Sequence, residues 1–179
     1  ITETTIFDIA SASKQTTGMA IALLEEQGKI NINDKIIKYL PDLPEAMSEI
    51  TIYQLVHHTS GIKDWPALLA LKGWQPEESL SLDDIYEVLK NQEGLNFAPG
   101  TEFSYSNSNY NLLAKIVEAV TDTTFNSWTH DNIFVPLGME NTFYIEDNNS
   151  KEGVIANSYV YSGHNYFTFT NKLNAPGSS

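Results

Sequence analysis

The sequence contains no cysteine and no arginine, and each absence excludes a class of site. Without cysteine there can be no disulfide framework, no thiolate zinc site and no cysteine nucleophile. The 10 basic residues are all lysines, against 23 acidic residues, which gives a formal net charge of −13. A nucleic-acid-binding protein needs a basic face to neutralise phosphates, so we expect no nucleic-acid partner.

Long apolar runs are also absent. The longest unbroken run extends only from Met19 to Leu24, whereas a membrane-spanning helix requires about 20 residues. We therefore expect no membrane-spanning segment. The chain has 179 residues, 41% of them hydrophobic, which is enough for one globular domain with its own core or for most of a larger one.

Helical patterns dominate the chain as far as about residue 140. The clearest predicted helix lies near residues 11–27, where apolar residues recur at helical spacing and Gly28 supplies a left-handed stop. Thr51 begins a capping-box pattern and Ser81 begins a looser cap, and each predicts a shorter helix. An apolar stripe from Tyr110 onward predicts a longer one. Two more helices are predicted over 33–40 and from 124 to Pro136.

The final third of the sequence changes character. Residues 158–170 are rich in Tyr, Phe, Val and Thr around Ser162-Gly163, a pattern that predicts a β-hairpin. No internal repeat and no long linker divides the chain. We therefore expect a single domain over 1–179 that is about half helix and has very little strand.

Ser11 and Lys14 form a Ser-x-x-Lys pattern at the start of the first long helix. Residues three apart share a helix face, so the pattern brings a hydroxyl and an amine within reach of each other. The positive end of the helix favours negative charge on the hydroxyl oxygen, and a partly desolvated amine can accept its proton. Chance accounts for about one such match in a chain of this composition. The second match, Ser60 to Lys63, is rejected because Gly61 and Pro66 break any helix that would align it.

Tyr105 and Asn107 are the other candidates for a site. They follow the Pro99-Gly100 turn and precede the strongly amphipathic helix, so we expect them on a loop that is held at both ends. Their phenol and amide are useful for chemistry only if they face Ser11. The adjacent residues His57 and His58 point about 100° apart on a helix and cannot share a metal, so we expect no metal site there.

Four blocks of the sequence recur in one order in a known family. They are Thr5-Ile-Phe-Asp-Ile-Ala-Ser-Ala-Ser-Lys-Gln-Thr-Thr17, His58-Thr-Ser-Gly61, Pro99-Gly-Thr-Glu-Phe-Ser-Tyr-Ser-Asn107 and Pro136-Leu-Gly-Met139. Together they resemble the serine β-lactamase-related hydrolases, which include class C β-lactamases, D-alanyl-D-alanine carboxypeptidases, esterases and D-aminopeptidases. The resemblance covers the chain from about Thr5 to Thr142.

The resemblance implies an α+β fold of the β-lactamase and transpeptidase type. In this chain it is represented mostly by the helical domain, with much of the antiparallel sheet absent. The family also carries a third motif, Lys-Thr-Gly or His-x-Gly, on a strand that comes after the region resembling 174–179. We therefore expect 1–179 to be a single incomplete catalytic domain, and we expect a segment outside these residues to supply the third motif.

The same resemblance implies hydrolysis of an amide or ester through an acyl-enzyme on Ser11, with no metal and no organic cofactor. Lys14 would act as base or proton relay, Tyr105 would pass a proton to the leaving group, and Asn107 would hold the substrate amide and the Lys14 amine. The sequence leaves open which of Lys14 and Tyr105 takes the first proton. An inactive binding or regulatory protein on the same scaffold, or a purely structural fragment, is the alternative.

The partner implied by the resemblance is a small-molecule or peptide substrate. Esters, D-amino-acid peptides and β-lactams all stay open. The lack of arginine disfavours carboxylate-bearing peptides and lactams unless another segment supplies that contact. The resemblance also implies an extracytoplasmic location. The oligomeric state is not predicted.

Overall fold

The computed structural model describes residues 1–74, 80–144, 155–156, 158–161, 163, 166–169 and 173–174. Within them the α-helices are α1 (Lys14–Glu26), α2 (Ile52–Val56), α3 (Trp65–Leu71), α4 (Leu82–Lys90), α5 (Asn107–Thr121) and α6 (Phe125–Thr129). Short 3-10 turns cover Ala10–Ser13, Ile36–Lys38 and Glu45–Met47, and a π-helical segment covers His130–Phe134. The strands are β1 (Leu80–Ser81), β2 (Ser158–Tyr161), β3 (Tyr166–Phe169) and β4 (Leu173–Asn174).

Helix α5 lies at the centre of the helical region, where it packs against α1, α2, α4 and α6. Its fully buried large apolar residues are Leu112, Leu113, Ile116 and Val117. They are the apolar stripe of the sequence, and their three- and four-residue spacing puts them on one face of the helix. The core therefore forms around α5, and the start of α5 is held in a fixed position relative to α1.

The capping box at Thr51 is confirmed, and the looser cap expected at Ser81 is a complete capping box in the structure. The Thr51 hydroxyl accepts from the backbone N–H of Gln54 at 3.3 Å, and the side-chain amide oxygen of Gln54, Oε1, accepts from the backbone N–H of Thr51 at 3.0 Å. The Ser81 hydroxyl accepts from the N–H of Asp84 at 3.1 Å, and the Asp84 carboxylate accepts from the N–H of Ser81 at 2.9 Å. Each reciprocal pair satisfies donors that a helix start otherwise leaves unpaired.

The predicted helix over 33–40 is wrong except for the single turn Ile36–Lys38. The backbone there pairs with a neighbouring segment instead. The N–H of Ile36 donates to the carbonyl of Ile50 at 2.9 Å, and the carbonyl of Asp34 accepts from Ile52 at 3.1 Å. These bonds use backbone groups that a continuous helix would need for its own ladder.

The predicted hairpin is confirmed in its strands. Strands β2 and β3 are antiparallel, with Ser158 opposite Phe169 and Tyr161 opposite Tyr166. The predicted ends of the second strand, at 165 and 170, lie outside the described residues. Strand β1 pairs in parallel with β4, and a parallel bridge joins Ile6 to Ile155. Both contacts bring the late part of the chain back to earlier segments.

The predicted helix from Thr124 to Pro136 forms in two parts. Its first part is α6, which begins as the Thr124 hydroxyl accepts from the N–H of Ser127 at 3.2 Å. Its second part is the wider π-helical segment His130–Phe134. Among the helices in the described ranges, none is long and apolar enough to cross a membrane.

Candidate active site

Ser11 lies in the 3-10 turn Ala10–Ser13, which runs directly into α1. The residue before it, Ala10, has a φ of 45°, a left-handed conformation that costs about 1–2 kcal/mol for a residue with a Cβ. The Asp8 carboxylate accepts from the N–H of Ala10 at 2.9 Å and supports this conformation. The turn leaves Ser11 exposed.

Lys14 is the first residue of α1 and is almost entirely buried, with 7% of its surface exposed. Its Nζ donates to Ser11 Oγ at 3.2 Å and to Asn107 Oδ1 at 3.0 Å. The same nitrogen lies 5.3 Å from the centre of the Tyr105 ring and 5.8 Å from that of Tyr110. The amine therefore sits between two aromatic faces, whose negative charge density offsets part of the cost of its burial.

Tyr105 contacts the same serine from 94 positions further along the chain. Its Oη donates to Ser11 Oγ at 3.0 Å. Its ring centre lies 4.5 Å from that of His58, with the two planes tilted by 34°. Ser11 Oγ therefore accepts from an amine and from a phenol together. This arrangement stabilises negative charge on that oxygen.

The loop that carries Tyr105 is tied to the segment that begins at His58. Gly100, with a φ of 85°, makes the predicted turn, and its N–H donates to the carbonyl of Thr59 at 2.8 Å. The N–H of Ser104 donates to the carbonyl of His58 at 3.0 Å. Two backbone bonds on either side of Phe103 therefore fix the position of the phenol.

The structure corrects the expectation that Asn107 lies on this loop. Tyr105 and Ser106 do, but Asn107 is the first residue of α5, three residues earlier than the apolar stripe indicated. The stripe missed this turn because Asn107, Ser108 and Asn109 are polar. Ser108 and Asn109 are nevertheless fully buried, and Asn107 is half-buried.

His58 packs under the site, where its ring accepts hydrogen bonds and stacks on tyrosines. Its Nδ1 lies 3.3 Å from the N–H of Ser106 and 3.0 Å from Asn109 Nδ2, and both of these groups are donors. The ring also stacks at 5.2 Å on Tyr110. Burial, and then the charge of Lys14, lower the pKa of His58. The ring is therefore neutral, with Nδ1 as the acceptor.

The rejected Ser60 to Lys63 pattern forms no comparable pair. Ser60 is buried, and its hydroxyl donates to Asn109 Oδ1 at 2.5 Å. Gly61 has a φ of 77° and lies so close to the backbone of Phe97 that a Cβ would come within 2.2 Å of its carbonyl oxygen. The segment around Gly61 is therefore packed closely against the backbone at Phe97.

In the described part of the chain, no three acidic or histidine side chains cluster as metal ligands would.

Asp64 is a site neighbour that the sequence analysis missed. Its Oδ1 accepts from the backbone N–H of Asn107 at 2.7 Å, and its Oδ2 accepts from Asn107 Nδ2 at 3.2 Å. In the sequence it reads as an ordinary helix cap before Trp65-Pro66. No pattern links it to a residue 43 positions later, so only the folded chain reveals the contact.

Comparison with known proteins identifies the family of this chain. The family model described as Beta-lactamase matches residues 1–176. The chain belongs to the β-lactamase family. Ser11, Lys14, Tyr105 and Asn107 all lie within the matched range, and so does Asp64.

Relatives of this β-lactamase-family chain are longer than the chain itself. Penicillin-binding protein 4* of Bacillus subtilis (strain 168) is 35% identical over 163 residues, which are 89% of this chain and 35% of that protein. The crystal structure of a penicillin-binding protein from Bacillus halodurans gives a TM-score of 0.81 at 27% identity, covering 96% of this chain and 52% of that one. FmtA from Staphylococcus aureus gives 0.80 at 27% identity, covering 98% and 48%.

The chain therefore spans about a third of the length of that curated relative and about half of each solved structure. The expected fold class is confirmed as β-lactamase/transpeptidase-like. Helix is the predominant regular structure of the described residues and there is little sheet among them, as expected for the helical part of that fold. Membership of the serine β-lactamase-related family, predicted from the four sequence blocks, is likewise confirmed.

Proposed function

We propose that this β-lactamase-family chain carries the nucleophile and the proton-transfer groups of a serine hydrolase, which cleaves an amide or ester through an acyl-enzyme on Ser11. The observation that carries the proposal is the double contact on Ser11 Oγ, with Lys14 Nζ at 3.2 Å and Tyr105 Oη at 3.0 Å. Both distances are within the range for direct proton transfer. The family and its penicillin-binding relatives support the same reaction class.

In the acylation step, Ser11 Oγ attacks the substrate carbonyl carbon and forms a carbon–oxygen bond. The hydroxyl proton passes to Lys14 as a neutral amine or to Tyr105 as a phenolate. The bond to the leaving group then breaks, and the leaving amine or alcohol receives a proton from this pair. The product is an ester on Ser11 and a neutral leaving group.

In the deacylation step, water attacks the ester carbon and loses its proton to the same pair of groups. The proton returns to Ser11 Oγ, and a carboxylic acid leaves. Asn107, whose Oδ1 accepts from Lys14, holds the amine in place through both steps. The proposed steps draw only on side chains of this chain and on water.

We propose the substrate class only as far as an amide or an ester. The lack of arginine removes the planar fork that binds carboxylates best. This favours a small neutral ester over a carboxylate-bearing peptide or lactam for the residues in this chain. Comparing turnover of a p-nitrophenyl ester with turnover of nitrocefin separates esterase from lactamase activity.

The decisive experiment is intact-mass spectrometry after incubation with a fluorophosphonate or a labelled penicillin. We expect one covalent adduct on the wild-type protein and none on Ser11→Ala. Ser104→Ala is the matched control, because Ser104 is an exposed serine beside Tyr105. It should react like the wild type. An adduct that persists in Ser11→Ala overturns the proposal, and an adduct without turnover of any ester or lactam supports an inactive binding protein instead.

We also propose an extracytoplasmic location, on the strength of the family resemblance. The test is fractionation of the source cells with an antibody to this chain. Recovery with the envelope or the medium supports the proposal, and recovery with the cytosol contradicts it.

A further inference from the structure

Asp64 contacts Asn107 in a way that bears directly on Lys14. The two carboxylate oxygens of Asp64 accept separately from the backbone N–H of Asn107, at 2.7 Å, and from its Nδ2, at 3.2 Å. The other end of the same amide, Oδ1, accepts from Lys14 Nζ at 3.0 Å. Asn107 therefore links the two side chains through opposite ends of one planar group.

A carboxylate can only accept hydrogen bonds, which settles the orientation of the amide. If the Asn107 amide were rotated by 180°, its oxygen would face the Asp64 carboxylate and its NH₂ group would face Lys14. Two acceptors would then oppose each other, and an NH₂ donor would oppose an ammonium group. Because Asp64 accepts from Nδ2, the oxygen of Asn107 has to point at Lys14.

The orientation matters because Lys14 has to hold a lone pair for the Ser11 proton if it acts as the base. A neutral amine has two N–H donors and one lone pair. An amide oxygen accepts one of the N–H groups and leaves the lone pair uninvolved in that contact. A rotated amide would donate its N–H to the lone pair and block it.

The simpler interpretation of Asp64 is a helix cap for α3, since it occupies the residue before Trp65. The structure does not make that bond. No backbone N–H of the first turn of α3 donates to the Asp64 side chain. The half-buried carboxylate is directed to Asn107 instead, 43 positions further along the chain.

We propose that Asp64 is a positioning residue, which fixes the amide of Asn107 so that its oxygen faces Lys14. This inference rests on the proposed function, because its purpose is to keep Lys14 available to Ser11. Asp64 acts through Asn107 and does not touch the reacting atoms.

The first test is a double-mutant cycle on hydrolysis of a p-nitrophenyl ester, with Asp64→Asn, Asn107→Ala and the double variant. The amide at 64 offers a donor as well as an acceptor, so the Asn107 amide is free to rotate. We expect kcat to fall about 10- to 100-fold with KM nearly unchanged. In the Asn107→Ala background the same Asp64→Asn change should have no further effect.

An equal loss in both backgrounds would show a general structural role and would overturn the proposal. An unchanged kcat in Asp64→Asn would overturn it as well. Asp64→Glu keeps two acceptor oxygens and should recover part of the lost kcat. Asp84→Asn is the matched control, because its carboxylate also accepts a backbone N–H at a helix start, but from Ser81 and not from a residue of the candidate site. It should lower thermal stability and leave kcat unchanged.

A second test is independent of activity. The side-chain NH₂ signal of Asn107 can be assigned in a ¹H–¹⁵N spectrum by its loss in Asn107→Ala. It should shift in Asp64→Glu and in Asp64→Asn and stay unchanged in Asp84→Asn. Asp64→Glu alone decides this test if Asp64→Asn does not fold. An unmoved signal refutes the contact even if Ser11 proves to be the nucleophile. If the signal moves but the adduct persists in Ser11→Ala, the contact between Asp64 and Asn107 stands and only the proposed function is refuted.

Discussion

Tyr105 donates a 3.0 Å hydrogen bond to Ser11, although 94 positions separate them in the sequence. The contact exists because two elements begin at the same place. Helix α1 starts just after Ser11, and α5 starts just after Tyr105. The two helices pack against each other in the core, so the hydrophobic burial that holds them together also aligns the phenol with the serine.

Removing only the phenol oxygen tests its part in the reaction. Tyr105→Phe keeps the ring that stacks on His58 and faces Lys14, but it loses the bond to Ser11. We expect ester hydrolysis to fall about 10²- to 10⁴-fold, the usual contribution of a positioned acid or base. Steady-state kinetics measures it.

The matched control for that change is Tyr53→Phe. Tyr53 is exposed to nearly the same extent, 48% against 46% for Tyr105, and stacks on His57. It should hydrolyse the ester at the wild-type rate. Equal rates for all three proteins would show that the phenol takes no part in proton transfer.

The two Ser-x-x-Lys patterns provide a comparison within one chain. Lys14→Met removes the amine beside Ser11 and keeps a chain of similar length. We expect covalent labelling by a fluorophosphonate to slow by at least about 10²-fold, because the proton of Ser11 loses an acceptor. Lys63→Met, in the pattern whose serine is bonded to Asn109, should label at the wild-type rate.

Time-resolved intact-mass spectrometry follows both lysine variants. Fast labelling of Lys14→Met would assign the first proton transfer to Tyr105. Slow labelling of Lys63→Met would show that the second pattern had been rejected wrongly.

Much of the fold could be predicted from local patterns. Gly28 marked the region where α1 ends, and the pairs at Thr51 and Ser81 marked the starts of α2 and α4. Each of these signals acts within a few residues, so the sequence displays it directly. The helix over 33–40 was wrong because the backbone of Ile36 bonds to distant Ile50, and no local pattern records such a bond.

The residues of the candidate site could be proposed from the sequence, but the residues that hold them in position could not. Ser11, Lys14, Tyr105 and Asn107 were singled out by their local patterns and by the family resemblance, and the structure brings their side chains together. Their catalytic roles stay predictions, as does the single incomplete domain over 1–179. Asp64 could not be found, because its contact depends on where α3 and α5 meet in space.

The packing of His58 predicts how stability changes with pH. Burial, together with the charge of Lys14, lowers the pKa of His58 from its ordinary value of 6.5. Below about pH 6.5 His58 binds a proton in the unfolded chain but stays unprotonated in the folded chain. The free energy of unfolding should therefore fall as the pH drops from 6.5 toward the lower folded-state pKa.

The variant His58→Asn isolates this effect. Asparagine tolerates the φ of 55° at this position and offers an oxygen near where Nδ1 lies. Urea unfolding at about pH 7.5 and pH 5.5 should show a smaller loss of stability for His58→Asn than for the wild type. His57→Asn, at the exposed neighbouring residue, should behave like the wild type. Equal losses in His58→Asn and the wild type would contradict the burial argument.

Two glycines should respond to alanine in opposite directions. At Gly61 the φ is 77° and a Cβ would lie 2.2 Å from the carbonyl oxygen of Phe97, so Gly61→Ala should lose at least about 2 kcal/mol. At Gly18, inside α1, a Cβ meets nothing within 4 Å, so Gly18→Ala should gain about 0.5–1 kcal/mol. Thermal unfolding measures both changes. The same sign for the two would contradict the geometry at Gly61.

The most direct test of Ser11 as the nucleophile is to map the adduct on the wild-type protein. After reaction with a fluorophosphonate, trypsin cleaves behind Lys14, and fragment ions of the peptide 1–14 distinguish Ser11 from Ser13. We expect the probe to be attached to Ser11 and to no other residue. Attachment to Ser13, or to any serine outside this peptide, would contradict this expectation.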